Sequence, residues 1–349
     1  MTSKPFVLAH PADDYACGRY RVTDPLKALI RDGRIEGIST DYFLDNETLA
    51  SLRPEVVVFQ RVLEHDQIAA IKRYRNVLPH ARFVMDIDDL ISEIPATNRF
   101  RKGFHNDAIE RFKKATALCD RLVTSTDFLK NEYGHFAPES VTCHNSLPDD
   151  PWANLPSYAV THDKPRVGWA GSSGHLGDLK IIAPVIFATC HEIDWVMLGP
   201  VPESIRKHCA EYHPAVPIDQ YPAKLASLAL DLAVAPLEVS RYNHAKSALR
   251  ILELGACGYP VLCSDGVGAF AIDLPVYRVK NTTEAWISVV RHLTNSLIPY
   301  SALRHQILSQ YLLSKRLDEW MTAWTCDFPE SGLSTEESRV GDRYAIRSY

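Results

Sequence analysis

Short apolar runs alternate with stretches of helical period along nearly the whole chain. "PFVLAH" predicts a first strand, and a helical pattern follows from about residue 20 to 30. "EGISTDYF" and "EVVVFQR" predict the next strands, separated by a short polar segment. "HDQIAAIKRYRNVL" has the spacing of an amphipathic helix, with Ile68, Ile71 and Val77 on its apolar side. "ARFVMDIDDL" predicts a strand with an acidic end, "HNDAIERFKKATALCD" a helix, and "RLVTS" a strand. "TDFLKNEYG" predicts a short helix capped by Thr126 or Asp127, and "SVTCHNSLP" a last extended piece.

The alternation stops in the proline-rich residues 148–165, then restarts. "RVGWAGSS" enters a Gly/Ser loop as a strand, and "DLKIIAPVIFATC" is a helix. "WVMLG", "PESIRKHCAEY" and "LASLALDLAVAPL" predict a strand, a helix and a short helix feeding a strand. Residues 242–265, "YNHAKSALRILELGACGYPVLCSD", predict a helix and another strand, and "PVYRV" a late strand before the closing helices. Two runs of alternating strand and helix predict two doubly wound, Rossmann-like α/β domains facing a cleft. The expected division is residues 1–148, a linker at 149–165, residues 166–326, and a polar tail at 327–349. The last helices are expected to pack back on the first domain.

A length of 349 residues agrees with two domains. Hydrophobic residues make up 46% and charged residues 23%, the balance of a folded soluble chain. The net charge is −5 and no basic block stands out, so no nucleic-acid partner is expected. The apolar runs fall short of the roughly 18 residues of a membrane span, and the N-terminal apolar core is too short for a signal peptide. The expectation is a cytoplasmic protein, with weak attachment to a membrane surface left open. The eight cysteines include no CxxC pair, and so predict reduced thiols and no structural zinc site.

In doubly wound sheets ligands bind beyond the carboxyl ends of strands, which selects four loops. In "GWAGSSGHLGDLK" a strand ends at Gly171, Ser172, Ser173 and Gly174, and a helix is expected near Leu176 or Gly177. Such a loop cradles an anion with its backbone amides, to which His175 adds a donor, or it is a tight turn. It is neither a Walker A loop nor a GxGxxG fingerprint. In residues 242–265 a helix is expected from Ala245 or Lys246, with Lys246 in its first turn and Glu253 about 10 Å further along. That spacing suits a diphosphate at Lys246 and a ribose diol at Glu253, or else a solvated charge stripe that includes Arg250. Asp86, Asp88 and Asp89 in "DIDD" are candidates for catalysis, acceptor binding, metal binding or capping. Gly18 allows close backbone approach, and Arg19 and Arg21 beside it meet phosphate or form salt bridges.

The segment "SLALDLAVAPLEVSRYNHAKSALRILELGACGYPVLCSD" resembles the donor-binding region of GT-B glycosyltransferases. The likeness is to the family 4 type, and within it to the bacterial surface-polysaccharide members. "VGWAGSSGHLGDL" is similar to the diphosphate loop of that group, and "CGRYRVTDPL", "MDIDDL" and "VTCHNSLPDD" to less specific features. The resemblance implies a hexosyltransferase-like enzyme of polysaccharide biosynthesis. It would be metal-independent and retaining, need no cofactor, and use a nucleotide-diphosphate sugar and a glycan or lipid-linked acceptor. Glu253 would bind ribose and Lys246 the diphosphate. Ser247 and Leu249 would face the nucleotide through their backbones, and residues 171–173 would cradle phosphate. The family pattern has a second glutamate eight residues before the ribose glutamate, where this chain has Ala245; Glu238 or His244 would replace it. An epimerase of the same architecture, or a non-catalytic sugar-nucleotide-binding subunit, is the alternative.

Overall fold

The structure is a computed structural model, and it describes residues 4–156, 158, 162–295 and 301–325. The first sheet consists of β1 (Phe6–His10), β2 (Glu36–Ser39), β3 (Val56–Gln60), β4 (Arg82–Ile87), β5 (Arg121–Thr124) and β6 (Glu139–Thr142). The second consists of β7 (Arg166–Ala170), β8 (Asp194–Leu198), β9 (Glu211–His213), β10 (Leu232–Ala235), β11 (Val261–Ser264) and β12 (Tyr277–Val279). Their orders are β2-β1-β3-β4-β5-β6 and β12-β11-β10-β7-β8-β9. Pairing is parallel throughout, with Val7 opposite Val56 and Val58 opposite Val84 in the first sheet. Helices cover both faces of each sheet, and therefore the strands are apolar runs rather than alternating ones. All four residues from Val56 to Phe59 are fully buried.

Sheet order reverses between β1 and β3 in the first domain and between β7 and β10 in the second. These are the crevices where doubly wound sheets bind ligands. The loops beyond them meet across the interdomain cleft. Asp89, after β4, pairs with Lys246, after β10. Asn98 donates to the Tyr242 hydroxyl.

Three local expectations need correction. The polar segment between β2 and β3 contains a helix, Asn46–Leu52, because Asp45 caps it by accepting from the Thr48 amide at 2.8 Å. In "PESIRKHCAEY" only Glu203–Arg206 is α-helical; residues 211–213 leave the helix to pair with β8 as an edge strand. The proline-rich residues after position 148 begin with a helical turn, Asp149–Trp152, and Trp152 and Leu155 are buried in the core of the second domain.

The chain crosses between domains a second time near residue 312, and this crossing lies against the first. Leu147 and Leu312 form a parallel bridge, with Leu147 N–H on Tyr311 O and Leu313 N–H on Leu147 O, both at 2.8 Å. Asp149 also accepts from the Ser314 amide at 3.0 Å. The helix Leu317–Thr325 then packs Leu317, Trp320, Ala323 and Trp324 into the core of the first domain. The expected tail at 327–349 lies outside the described residues. No helix among the described residues is long and apolar enough to cross a membrane.

Candidate functional site

The helical stretch that carries Lys246 and Glu253 is broken. Arg241–His244 forms one short helix, capped by Ser240 on the Asn243 amide, and Leu249–Ala256 forms the next. The helix expected from Ala245 therefore starts at Leu249, and Lys246 and Ser247 sit in the bend between the two. Ala245 is fully buried in the first domain's core, and its carbonyl accepts from the Thr126 hydroxyl at 2.9 Å. The position where the family pattern has a second glutamate thus faces packing rather than the cleft.

Lys246 Nζ lies 3.2 Å from Asp89 Oδ1 and 4.6 Å from the centre of the Tyr242 ring. Burial pulls its pKa down, but Asp89 and Tyr242 outweigh burial and hold it above the ordinary value. Glu253 is 6% exposed. Its Oε1 accepts from the Tyr20 hydroxyl at 2.9 Å and its Oε2 from the Tyr221 hydroxyl at 3.3 Å. Burial pushes its carboxyl up, against the pull of Arg250 and the two tyrosines. Arg250 donates from Nη1 to the Ala170 carbonyl at the end of β7, and its Nε is 3.9 Å from Glu253 and without a hydrogen-bond partner. The guanidinium therefore spans the gap between Glu253 and the Gly/Ser loop.

That loop leaves β7 at Gly171. Gly199, at the end of β8, has φ +107, and a Cβ there would stand 2.0 Å from the Gly171 carbonyl oxygen, so only glycine fits. Ser172 caps a single turn, Ser173–His175, and the α-helix begins only at Leu179, later than the sequence pattern predicts. Gly174 and Gly177 lie under Asn98 and Thr97 of the first domain. His175 Nδ1 contacts Asp178 Oδ2 at 2.9 Å, while Asp178 Oδ1 accepts from the Glu238 amide at 2.9 Å and from Asn243 Nδ2 at 3.3 Å. Asp178 thereby ties the loops after β7 and β10 together. Burial lowers the His175 pKa to about 4; Asp178 opposes this, and Arg250 and Lys246 add to it. A neutral imidazole thus stands beside two cations.

Glu238 is half-buried, with a carboxylate oxygen near Gly177. His244 Nδ1 accepts from the Gly268 amide at 2.8 Å, which leaves the proton on Nε2. Ser247 Oγ accepts from Asn145 Nδ2 at 2.8 Å, and Leu249 packs its side chain against the second domain's core. A cavity of about 390 Å³ opens between the domains here, lined among others by His144, His244, Lys246, Ser247, Ala248 and Arg316. Its size falls within the range of small-molecule sites.

On the first domain the candidates separate. Arg21 is fully buried and grips Asp86 with two bonds, Nε to Oδ1 at 3.0 Å and Nη2 to Oδ2 at 2.7 Å. Its Nη1 donates to the Cys143 carbonyl and to Asn145 Oδ1, and its plane lies over Trp320. Burial raises the Asp86 pKa to about 6 against the pull of Arg21. Neither residue has atoms left for a substrate, which removes Arg21 as a phosphate contact and Asp86 as a catalyst. Arg19 is likewise paired, with Asp24 and Asp219. Gly18 makes its close approach within its own loop, where a Cβ would meet the Asp13 carbonyl oxygen at 1.7 Å.

Asp88 and Asp89 stay at the cleft. Lys246 and Arg61 outweigh burial and lower the Asp89 pKa, whereas burial and the charge of Asp89 raise that of Asp88. Asp88 Oδ1 has no hydrogen bond and lies 3.8 Å from Arg61 Nη1. Arg61 has φ +45, a left-handed backbone that bulky residues seldom adopt outside constrained sites. Among the described residues, no group of three or more His, Cys, Asp or Glu side chains is arranged to hold a metal ion. Sequence reasoning missed Tyr20, Tyr221, Asp178 and the placement of Arg250. Their partners lie far away in the chain, except for the Arg250–Glu253 and His175–Asp178 spacings, which also occur without any functional site.

No protein-family model matches the chain, and no curated protein matches it. Solved structures do. A glycosyltransferase from Rickettsia africae ESF-5 superimposes with a TM-score of 0.63 at 14% identity, over 92% of this chain and 97% of that one. Sucrose-phosphate synthase from Thermosynechococcus elongatus gives 0.61 at 11% identity, over 91% and 97%. The Anabaena protein HepE, solved with UDP and glucose, gives 0.60 at 11% identity, over 91% and 100%. At these identities the likeness is one of fold: two Rossmann-like domains facing a cleft, the GT-B arrangement.

Proposed function

We propose that the chain is a glycosyltransferase that moves a sugar from a nucleotide-diphosphate donor to a glycan or lipid-linked acceptor. The observation that carries this reading is one constellation at the switch point of the second domain. Glu253, Arg250 and Lys246 follow one another from the helix Leu249–Ala256 into the bend before it, beside the Gly/Ser loop at the end of β7. In this reading Glu253 accepts from the ribose diol, and Arg250 joins Lys246 at the diphosphate. The cavity beside Lys246 and Ser247 receives the sugar. Two cations and the loop amides offset the charge that develops on the departing diphosphate, which is how such a site accelerates transfer without a metal ion. Retention at the anomeric carbon follows from the family resemblance. The solved structures support the reading through their shared arrangement, and HepE through its UDP.

Titration calorimetry with a panel of nucleoside diphosphates tests it. Wild type is expected to bind one base with a Kd on the order of micromolar. Glu253→Ala should lose about 1.5–3 kcal/mol, the range for a hydrogen bond to a charged group. Lys246→Ala and Arg250→Ala should weaken the diphosphate more than the nucleoside. Equal binding by wild type and Glu253→Ala would remove the ribose assignment. Conversion of a donor into a second nucleotide sugar without acceptor would replace transfer by epimerisation.

A further inference from the structure

Each domain buries a piece of the other. Tyr20, on the π-helical turn Arg19–Thr23 of the first domain, is 4% exposed and sits in the core cluster of the second. Tyr242 and Ala245 of the second domain sit in the core cluster of the first. At this joint the two side chains assigned above to the nucleotide are already engaged. The Tyr20 hydroxyl donates to Glu253 Oε1 at 2.9 Å, and the Asp89 carboxylate lies 3.2 Å from Lys246 Nζ. The chemistry matches that of the ligand group by group. A hydroxyl occupies the carboxylate meant for a ribose hydroxyl, and an anion occupies the ammonium meant for a phosphate. Tyr221 takes the other Glu253 oxygen, and the carboxylate is 6% exposed, so a ribose has no approach to it in this conformation.

We propose that Tyr20 and Asp89 compete with the nucleotide for Glu253 and Lys246, so that the nucleotide enters only when the first domain withdraws both. The proposal rests on the functional reading given above. It makes Tyr20 and Asp89 determinants of nucleotide affinity from the domain opposite the nucleotide site. Among the other contacts across the cleft, the surface ion pairs offer little resistance. The Arg19–Asp219 pair and the pairs of Arg241 with Glu93 and Glu132 involve exposed side chains, and such pairs are worth little. When the competent state is a fraction of the population, apparent affinity falls by that fraction, and removing a competing contact restores it.

The test compares wild type, Tyr20→Phe, Asp89→Asn and Glu253→Ala with and without Tyr20→Phe, all as the full chain and each checked by melting temperature. The probes are the nucleoside diphosphate that binds tightest in the panel and its parent nucleoside. Tyr20→Phe should tighten both by about tenfold, since a hydrogen bond to a charged group is worth at least one decade. Asp89→Asn should likewise tighten both, because its contact with Lys246 must also break before either ligand enters, and it should tighten the diphosphate more. In the Glu253→Ala background Tyr20→Phe should gain nothing, a coupling that a purely structural tyrosine would not give. Hydrogen exchange on wild type provides a readout independent of the variants: nucleoside diphosphate should speed exchange in residues 19–23. Wild-type binding with no gain in Tyr20→Phe, or with slowed exchange in that segment, overturns this proposal alone. Binding by Tyr20→Phe but not by wild type supports it. Binding by neither overturns the functional reading along with it.

Discussion

Replacing Arg21 with methionine removes the charge at the seam between the domains and keeps most of the volume. In wild type the guanidinium makes four hydrogen bonds, two to Asp86 and one each to the Cys143 carbonyl and Asn145. Both members of the ion pair are fully buried. Removing one partner leaves Asp86 without a counter-charge away from water, which destabilises by about 3–5 kcal/mol. The bare Cys143 carbonyl argues against the low end, so about 4 kcal/mol is expected. With a urea m-value of about 3 kcal/mol/M, the first-domain transition should fall by about 1.3 M. Tryptophan fluorescence reports it directly, because Trp320 lies 4.9 Å beneath the guanidinium. Adding Asp86→Leu to Arg21→Met should recover most of that roughly 4 kcal/mol, since an apolar pair replaces a stranded charge. A midpoint shift below about 0.3 M for the single variant, or a double variant as unstable as the two singles summed, would refute the reasoning.

Two further outcomes follow from buried groups. Burial lowers the His10 pKa to about 4, below its unfolded value near 6.5, so the fold favours the neutral ring and loses stability as pH falls through that window. Going from pH 7 to 5 should cost about 2 kcal/mol from this residue. His10→Phe, which keeps the stack with Phe43 and Phe59, should flatten that part of the pH–stability curve in thermal melts. An unchanged pH dependence would show that His10 is not its source. Gly18→Ala should lower the melting temperature and cost about 1–3 kcal/mol, because its Cβ would meet the Asp13 backbone and force the β1 loop to move. A wild-type melting temperature would contradict this.

The strands were legible because parallel strands buried on both faces are continuous apolar runs, as in "EVVVFQR" and "RLVTS". β9 was not, because residues 211–213 are held as strand by pairing with β8, a contact with no local signal. The boundary at Leu249 was missed for a related reason. Apolar spacing continues through Ala245, but that side chain points into the other domain and the backbone bends at Lys246 and Ser247 to put it there. In the proposed site, family resemblance singled out Glu253 and Lys246, and the strand-end loop singled out Gly171. What surrounds them was hidden by distance in the chain: Tyr20 reaches Glu253 across 233 positions, and Arg21 reaches Asp86 across 65. Charge alternation in "CGRYR" gives no hint that Arg21 points inward while Arg19 stays at the rim.

The paired crossings at Leu147 and Leu312 bear on how the cleft can move. Two separate connecting strands would let the domains twist, slide and separate, each strand bending on its own. Here the two are sewn side by side by amide-to-carbonyl bonds in both directions, with Asp149 holding Ser314 just beyond. A ribbon of this kind resists shear in its own plane and bends readily only about the line across it. Release of Tyr20 and Asp89 would then be steps of one rotation about that line, and the loops farthest from the ribbon would travel farthest.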